Sequence, residues 1–248
     1  MDRQRYSNIA HAHCAFASPV SYGKAMELLR RAGMNEEPNG ETKSLLDIGC
    51  GFGSWTSIAA NYNCNATGVD RNEHAIERAK KGPTQATFIL GDAKEITNET
   101  FDIILCIGST HALGGLEPTL EFCLSRLNPQ GKIILGEGFW AQKPHPEYLK
   151  MLGGTEDEFT SHAENAQRIT NAGYRIWYST TSSPDEWDEY EGKYRSSMLE
   201  WGQNNPDDPE TADYLALTDS WYDAYLRWGR ETLGFGFYVA SLNTPQLK

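Results

Sequence analysis

The sequence has 248 residues, of which 39% are hydrophobic and 11% aromatic, so the chain is long enough to bury a full core. Its formal net charge is −12, and residues 151–248 carry −10 of that charge. A surface of this sign repels phosphate backbones and anionic lipid headgroups, which disfavours nucleic acids and membranes as partners and leaves small neutral or cationic ligands.

The five cysteines are odd in number and form no Cys-x-x-Cys pair, which disfavours both a disulfide framework and a zinc site. We therefore expect no bound metal. The N-terminus has no signal-peptide pattern, and no stretch approaches the ~20 apolar residues that cross a bilayer. Together these features predict a soluble protein of the reducing cytoplasm.

The first predicted helix has Ser18 as its N-cap and Pro19 as its first residue, and Gly33 is its expected stop. Three large residues recur in it at helical spacing: Tyr22, Met26 and Leu29. The polar residues 35–43 are expected to form a loop.

Short strand-like runs then alternate with helical patterns. The strands are predicted at residues 45–48, 66–69, 86–90, 101–107 and 132–135. Residues that share a helical face predict three helices between them: Trp55, Ile58, Ala59 and Tyr62; Ala75, Ile76 and Ala79; Leu116, Leu120, Leu124 and Leu127. This alternation is typical of parallel βαβ units, so we predict an α/β sheet covered on both faces.

The rhythm changes after residue 154, where a helix over residues 160–171 and a strand over 174–181 precede a long insert. The insert begins with a capping box, Ser183-Pro184-Asp185-Glu186, and a second helix is predicted from Asp208-Pro209. Its large residues fall at steps of three and four: Trp187, Tyr190, Tyr194, Met198 and Trp201, then Tyr214, Leu217, Trp221, Tyr225 and Trp228. The pattern indicates a helical pair with an aromatic face, which packs into the core or walls a ligand site.

Residues 44–55 read SLLDIGCGFGSW, three glycines at alternate positions directly after a predicted strand. Glycine there allows positive φ and lets a ligand approach the backbone, and Ser54 is expected to cap the next helix. The nicotinamide pattern G-x-G-x-x-G fits in neither register, because Ser54 or Thr56 stands at its third glycine. Asp47, two residues before Gly49, repels a pyrophosphate and suits an ammonium group, so the segment predicts an amino-acid-bearing nucleoside.

With three further landmarks, this segment resembles the first motif of the class I S-adenosylmethionine-dependent methyltransferases. TGVDRNEHAIERAKK places Asp70 where the family's acidic residue accepts hydrogen bonds from both ribose hydroxyls, and FILGDAKEI places Asp92 and Ala93 at the family's adenine edge. LNPQGKIILGE is similar to the turn that precedes the family's fifth strand. The resemblance implies S-adenosyl-L-methionine as cofactor, S-adenosyl-L-homocysteine as product, and these cofactor-binding residues: Asp47, Gly49, Cys50, Gly51, Gly53, Asp70, Arg71, Asp92, Ala93, Cys106 and Ile107.

The family fold is a Rossmann-like, seven-stranded, mostly parallel sheet whose last strand is antiparallel, with helices on both faces. Here it implies one methyltransferase domain over residues 1–248, divided into an N-terminal helical lid (1–43), a cofactor-binding core (44–182), a helical aromatic insert (183–233) and a final strand (234–242). CIGSTHALGG, LGEGFW and RWGRETLGFGFYV are also similar to a group of bacterial and archaeal small-molecule methyltransferases of unassigned substrate.

The sequence pattern is less specific for the residues that would contact the methyl acceptor. In the family, the end of the fourth strand lies beside the methyl group, and this sequence lacks the Asn/Asp-Pro-Pro-Tyr motif of enzymes that methylate nucleobase or amide nitrogen. His111 is the first candidate base, because histidine titrates near neutrality, and its alternative is a loop or helix-capping role. Glu137 is the second candidate, for binding an amine or taking its proton, and its alternative is to support the loop.

We therefore expect methyl transfer to an N or O nucleophile of a small molecule, with a slight preference for an amine. A protein side-chain methyltransferase and a non-catalytic cofactor-binding regulator are the alternatives. Four residues ahead of the first strand are lid candidates: Tyr6, His11, His13 and Tyr22. The oligomeric state stays open.

Overall fold

A computed structural model describes residues 2–35, 40–97 and 99–243, so part of the predicted loop at 35–43 lies outside the described residues. The strands are β1 (Lys43–Ile48), β2 (Cys64–Asp70), β3 (Thr87–Leu90), β4 (Phe101–Ile107), β5 (Leu127–Trp140), β6 (Tyr174–Thr181) and β7 (Leu233–Leu242). They form one sheet in the order β3-β2-β1-β4-β5-β7-β6. β7 runs antiparallel to both β5 and β6, and the remaining pairs are parallel, as predicted.

The helices are α1 (Arg3–Ala10), α2 (Tyr22–Ala32), α3 (Ser54–Asn61), α4 (Glu73–Lys81), α5 (Leu116–Leu124), α6 (Pro146–Leu152), α7 (His162–Asn171), α8 (Pro184–Asn204), α9 (Thr211–Ala224) and α10 (Arg230–Thr232). A π-helical turn, Tyr225–Gly229, joins α9 to α10. One face of the sheet packs against α2 and α3 and the other against α5 and α7, so apolar strands are buried on both sides. The chain leaves β1 toward β2 and later returns to β4, and this reversal opens a crevice at the carboxyl edge.

The start of α2 differs from the prediction. Its N-cap is Ser21, whose side chain accepts a hydrogen bond from the Lys24 amide, so the helix begins three residues after Pro19. Ser18 instead forms a short turn with Val20. Tyr22 is 56% exposed and therefore does not belong to the buried face. Gly33 is the predicted C-cap, in the left-handed conformation.

Two helix ends in the core were also misplaced. α5 ends at Leu124, which is 47% exposed, and Leu127 already belongs to β5. Tyr62 follows the last residue of α3 as its C-cap. The predicted turn before the fifth strand is an irregular stretch inside β5, where the β4 partner shifts from Phe101 to Ile103.

The insert folds as the predicted helical pair. Ser183 and Glu186 form the expected capping box of α8. α9 begins at Thr211 rather than at Asp208-Pro209. The Asp208 carboxylate accepts the Glu210 amide at 3.0 Å in the turn before the helix, and it pairs with Arg5 of α1 at 2.6 Å. Within the described ranges, no helix is long and apolar enough to span a membrane.

Candidate active site

A cavity of about 280 Å³ lies in the crevice at the carboxyl ends of β1, β2 and β4. Eight predicted site residues line it: Gly49, Gly51, Asp70, Arg71, Asp92, Ala93, Ile107 and His111. We call the residues 49–53, 70–71, 91–93 and 107–112 the cofactor cradle. Five predicted site residues are not among its lining: Asp47, Cys50, Gly53, Cys106 and Glu137.

The three glycines of the cradle all have positive φ, but for different reasons. A Cβ on Gly49 would lie 2.4 Å from the Ser109 Cβ, and one on Gly53 would lie 2.5 Å from the Phe88 ring. A Cβ on Gly51 would meet nothing within 4 Å. Gly49 and Gly53 therefore permit close packing beneath the loop, whereas Gly51 leaves open the space that a ligand occupies.

Gly53, rather than Ser54, is the N-cap of α3, and it supplies no side-chain cap. The Ser54 hydroxyl instead donates to the carbonyl of Ala15, in the segment that follows α1. The predicted capping role of Ser54 was therefore wrong: the serine ties the N-terminal segment to the start of α3.

Asp47 lies beneath the glycine loop and is only 2% exposed. Its carboxyl accepts a hydrogen bond from the Thr56 hydroxyl at 2.7 Å. Burial, with a smaller contribution from the nearby Asp70 charge, raises the pKa of Asp47 to about 7. Direct contact between Asp47 and a ligand ammonium stays a prediction, because in this structure Asp47 supports the loop from below.

Asp70 ends β2 and faces the cavity. Its two carboxylate oxygens each accept one backbone N–H at 2.8 Å, from Gly51 and from Asn72. A carboxylate has about four acceptor positions, so both oxygens retain capacity for ligand hydroxyls. Asp70 thus fixes the glycine loop and keeps acceptors at the position where the resemblance places the ribose.

Asp92 caps the short turn after β3, accepting the Lys94 amide at 3.0 Å, and it pairs with the Arg71 guanidinium across the cavity rim. These bonds hold the pKa of Asp92 below its usual range. Ala93 is buried directly behind it. The rim at the predicted adenine edge is therefore ordered by the protein's own charges.

The two predicted cysteines lie behind the cavity wall. Cys106 is fully buried at the end of β4, with its Sγ 3.2 Å from the Ser109 hydroxyl. Cys50 is buried and belongs to the cluster of Ile76 and Phe88. Burial raises the pKa of both thiols, so both support packing as neutral groups.

His111 lies on the single helical turn after β4, is exposed, and lines the cavity. In the described part of the chain its imidazole has no hydrogen-bond partner, so it is available to a ligand. Glu137 lies within β5, the strand beside β4, and does not line the cavity. Its Oε1 is buried without a partner among the described residues, and burial raises its pKa, partly offset by the Thr110 hydroxyl.

The segment after α1 crosses the cradle. Arg78 donates at 2.8 Å to the carbonyls of both His11 and Cys14, and its guanidinium lies over the Phe52 ring at 4.0 Å. Ala17 of this segment lines the cofactor cavity. None of the four predicted lid residues is part of that lining: Tyr6, His11, His13 and Tyr22.

Three of those residues, Tyr6, His11 and His13, hold the N-terminal segment to the insert. His11 contacts Tyr190 through Nε2 at 2.9 Å, and His13 contacts Glu200 at 2.7 Å. Tyr6 is buried against Tyr214 of α9, and Tyr22 lines a second cavity, described below. We call α1, α8 and α9 together the helical roof.

The second cavity, of about 450 Å³, lies between residues 14–22 and α8. Phe16, Tyr22 and Tyr190 contribute aromatic rings to its wall. Three acids, Asp185, Glu186 and Glu189, and one base, Lys193, contribute its charges. The lining of this cavity is therefore net acidic.

Sequence reasoning missed Glu191, which is 4% exposed inside the roof. Its Oε2 accepts the Trp221 indole N–H at 2.9 Å, and burial raises its pKa to about 7. The available signal was its place four residues after Trp187 and three before Tyr194, on the aromatic face of α8. A carboxylate in an aromatic stripe is rarely buried without a role.

Three kinds of comparison agree with this geometry. The family described as "Methyltransferase domain" matches residues 39–200. The uncharacterized protein YjhP of Escherichia coli is 26% identical over 205 residues, which cover 79% of this chain and 83% of that protein. A ubiquinone biosynthesis O-methyltransferase of Saccharophagus degradans is 27% identical over 60% of this chain and 70% of its own length.

A crystal structure of a SAM-dependent methyltransferase from Thiobacillus denitrificans in complex with S-adenosyl-L-homocysteine has the same fold, with a TM-score of 0.87. It is 26% identical to this chain, and the superposition covers 98% of this chain and 100% of that protein.

Proposed function

The chain belongs to the methyltransferase domain family and is an S-adenosylmethionine-dependent methyltransferase, and from this premise we propose that its acceptor is an N or O nucleophile of a small molecule. The observation that carries the proposal is the enclosure of the site. The N-terminal segment crosses the cradle, Ala17 lines the cofactor cavity, and the helical roof lies over that segment. A covered space of a few hundred Å³ suits small-molecule ligands.

The cradle fits the cofactor on its own geometry. Gly51 leaves unfilled space at the loop, Asp70 retains acceptor capacity at the end of β2, and Asp92 stands at the far rim. When bound, S-adenosylmethionine supplies a methyl group on a positively charged sulfur, which needs little further activation. The protein's main task is therefore to position the acceptor nucleophile.

We assign the acceptor-side roles to His111 and Glu137. The exposed imidazole of His111, free of protein hydrogen bonds within the described residues, orients the nucleophile or takes its proton. Glu137, with its raised pKa and unpartnered Oε1, holds a proton or accepts one behind the β4 loop. Both remain proposals.

The domain division and location are part of the same proposal. We propose one methyltransferase domain whose insert serves as roof, working in the cytoplasm, where the five free cysteines stay reduced. The relatives that methylate small molecules, such as the ubiquinone biosynthesis O-methyltransferase, support the acceptor class.

A screen of amines, phenols, carboxylic acids and short peptides, read by release of S-adenosylhomocysteine, tests the proposal. We expect turnover with a small molecule, reduced at least tenfold by His111→Ala and by Glu137→Gln at unchanged cofactor affinity. His74→Ala, a histidine of α4 that does not line the cofactor cavity, is the control for losing an imidazole. Turnover on peptides alone would contradict the small-molecule assignment, and full activity of His111→Ala would remove its catalytic role.

A further inference from the structure

Arg78 of α4 is a half-buried cation, and among the described residues no carboxylate pairs with it. Its Nη1 donates at 2.8 Å to the His11 carbonyl, and its Nη2 donates at 2.8 Å to the Cys14 carbonyl. The guanidinium also lies over the Phe52 ring, 4.0 Å from its centre. Hydrogen bonds from a charged donor are stronger than those between neutral groups, so Arg78 holds these two carbonyls firmly.

Residues 11–17, which we call the strap, cross the cradle directly after α1 ends. Ala17 lines the cofactor cavity, so a ligand bound there contacts the strap. A second tie comes from the start of α3, where the Ser54 hydroxyl donates to the Ala15 carbonyl. Neither Arg78 nor Ser54 lines the cavity, so both ties join one part of the protein to another and do not involve the ligand.

The strap is joined to the helical roof on its other side. His11 Nε2 lies 2.9 Å from the Tyr190 hydroxyl, and the His13 amide donates to the Ser197 hydroxyl at 3.1 Å. The helix that leads into the strap, α1, packs against α8 and α9 in a hydrophobic cluster separate from those of the sheet. The strap can therefore part from the cradle and keep its contacts with the roof, once its two ties on the cradle side break.

Every turnover exchanges S-adenosylhomocysteine for S-adenosylmethionine in the cavity that Ala17 lines. We propose that Arg78 is a positioning residue: it clamps the strap over the bound cofactor and thereby sets the rates at which the cradle takes up S-adenosylmethionine and releases S-adenosylhomocysteine. Opening of a lid is the rate-limiting step in many enzymes. The inference goes beyond the proposed function, because it concerns exchange of the cofactor and holds for any methyl acceptor.

The test measures the exchange of tritiated S-adenosylhomocysteine with this chain. Mixing gives the association rate constant, and a chase with excess unlabelled compound gives the dissociation rate constant. Arg78→Lys keeps the charge but replaces a fork that reaches two carbonyls by a single ammonium group. Because the clamp joins protein to protein, a weaker clamp should raise both rate constants about tenfold and leave the dissociation constant within about threefold.

Arg126→Lys is the matched control. Arg126 likewise donates to a backbone carbonyl, that of Ile96 at 2.7 Å, and lies over an aromatic ring, that of Phe122 at 4.0 Å. It stands between α5 and β5 and does not line the cofactor cavity. Its substitution removes the same kind of interaction, so it should leave both rate constants within about twofold of the wild type.

Ser54→Ala removes the second tie and should raise both rate constants about threefold, which keeps the test decisive where Arg78→Lys folds poorly. A rise in the dissociation rate constant alone would mean that Arg78 shapes the cavity and does not control exchange. Unchanged rate constants would mean that the strap is no barrier to the cofactor. Either result would overturn the inference.

Discussion

Among the residues that the structure describes, the cofactor cradle and the helical roof each cover a buried carboxyl that forms no ion pair. Asp47 beneath the cradle is 2% exposed and accepts the Thr56 hydroxyl at 2.7 Å, while Glu191 in the roof is 4% exposed and accepts the Trp221 indole at 2.9 Å. Burial raises the pKa of each to about 7. Two regions of unrelated structure thus contain the same electrostatic feature.

They differ in where the neighbours come from. Thr56 follows Asp47 within the same strand-turn-helix unit, and Asp70 ends the adjoining strand. The neighbours of Glu191 come from α6, α8, α9 and the π-helical turn, so its burial depends on packing of remote segments. The cradle is therefore a local structure and the roof a tertiary one, which predicts different sensitivities to mutation.

The largest effect is expected from a substitution within the glycine loop of the cradle. Gly49→Ala places a Cβ 2.4 Å from the Ser109 Cβ at a φ of +68°, and strain together with overlap costs about 4 kcal/mol. Because the displaced loop also carries Gly51, we expect affinity for S-adenosylhomocysteine to fall at least a hundredfold. Chemical denaturation and calorimetry measure the two effects.

Gly173→Ala separates strain from overlap. Its φ is +91° but no atom lies within 4 Å of the added Cβ, so the cost is about 1 kcal/mol and cofactor affinity stays within twofold. Equal effects of the two substitutions would mean that the fit of Gly49 against Ser109 is unimportant to the cradle.

The next prediction concerns the roof and is the pH dependence of stability that Glu191 causes. Glu191 has a pKa of 4.5 when unfolded and about 7 when folded, so between these values the folded state binds more protons. Wild-type stability therefore falls as pH rises through this window, and Glu191→Gln does not share that loss. At pH 8 the variant should be more stable by about 3 kcal/mol, and at pH 4.5 the two should be nearly equal.

His11, whose Nε2 contacts the Tyr190 hydroxyl, has a pKa that burial lowers from its usual 6.5, and its contribution is common to the wild type and to Glu191→Gln, so it cancels in the difference. The pKa values of the Tyr6, Tyr148, Tyr190, Tyr194 and Tyr225 phenols and of the Cys14 thiol are all raised, so these groups stay neutral. The Asp47 contribution is common to both proteins and cancels in the difference. A stability difference independent of pH, measured by urea unfolding, would show that Glu191 does not carry a raised pKa.

The sequence could predict the cradle because its determinants are neighbours in the chain. Asp47, the glycines, Asp70 and Asp92 lie at the ends of successive strands, and parallel strands bring those ends to one edge. The family resemblance added the ligand. Even so, the local pattern did not distinguish a glycine that faces the ligand, Gly51, from glycines that face the core.

The roof was predictable only as a pair of helices with an aromatic face. Periodicity placed Trp187 and Tyr194 on one side of α8, but which partner covered them depended on α1, α6 and α9. Asp208 illustrates the limit: in the turn before α9 it pairs with Arg5, two hundred residues away. Such long-range contacts leave no local signal, so the spacing that puts Glu191 on the aromatic face of α8 did not show which segments bury it.

The smallest effect is expected at Asp70, and it tests whether this acid binds the ligand or only supports the glycine loop. In the wild type, both oxygens of Asp70 accept backbone N–H groups. Asp70→Asn removes the negative charge and replaces one of these acceptors by an N–H donor. We therefore expect the affinity for S-adenosylhomocysteine to fall by about 2 kcal/mol, about thirtyfold. Asp102→Asn is the matched control.

The Asp102 carboxylate likewise accepts a backbone N–H, that of Ser44 at 2.9 Å. Ser44 lies at the start of β1, which is the end of the strand farther from the cradle. Its substitution disturbs the strand without touching the cavity, so it should lower the melting temperature while leaving calorimetric affinity within twofold. If Asp70→Asn also stayed within twofold, the acid at the end of β2 would serve the glycine loop alone, and the ribose assignment would have to move to another residue of the cradle.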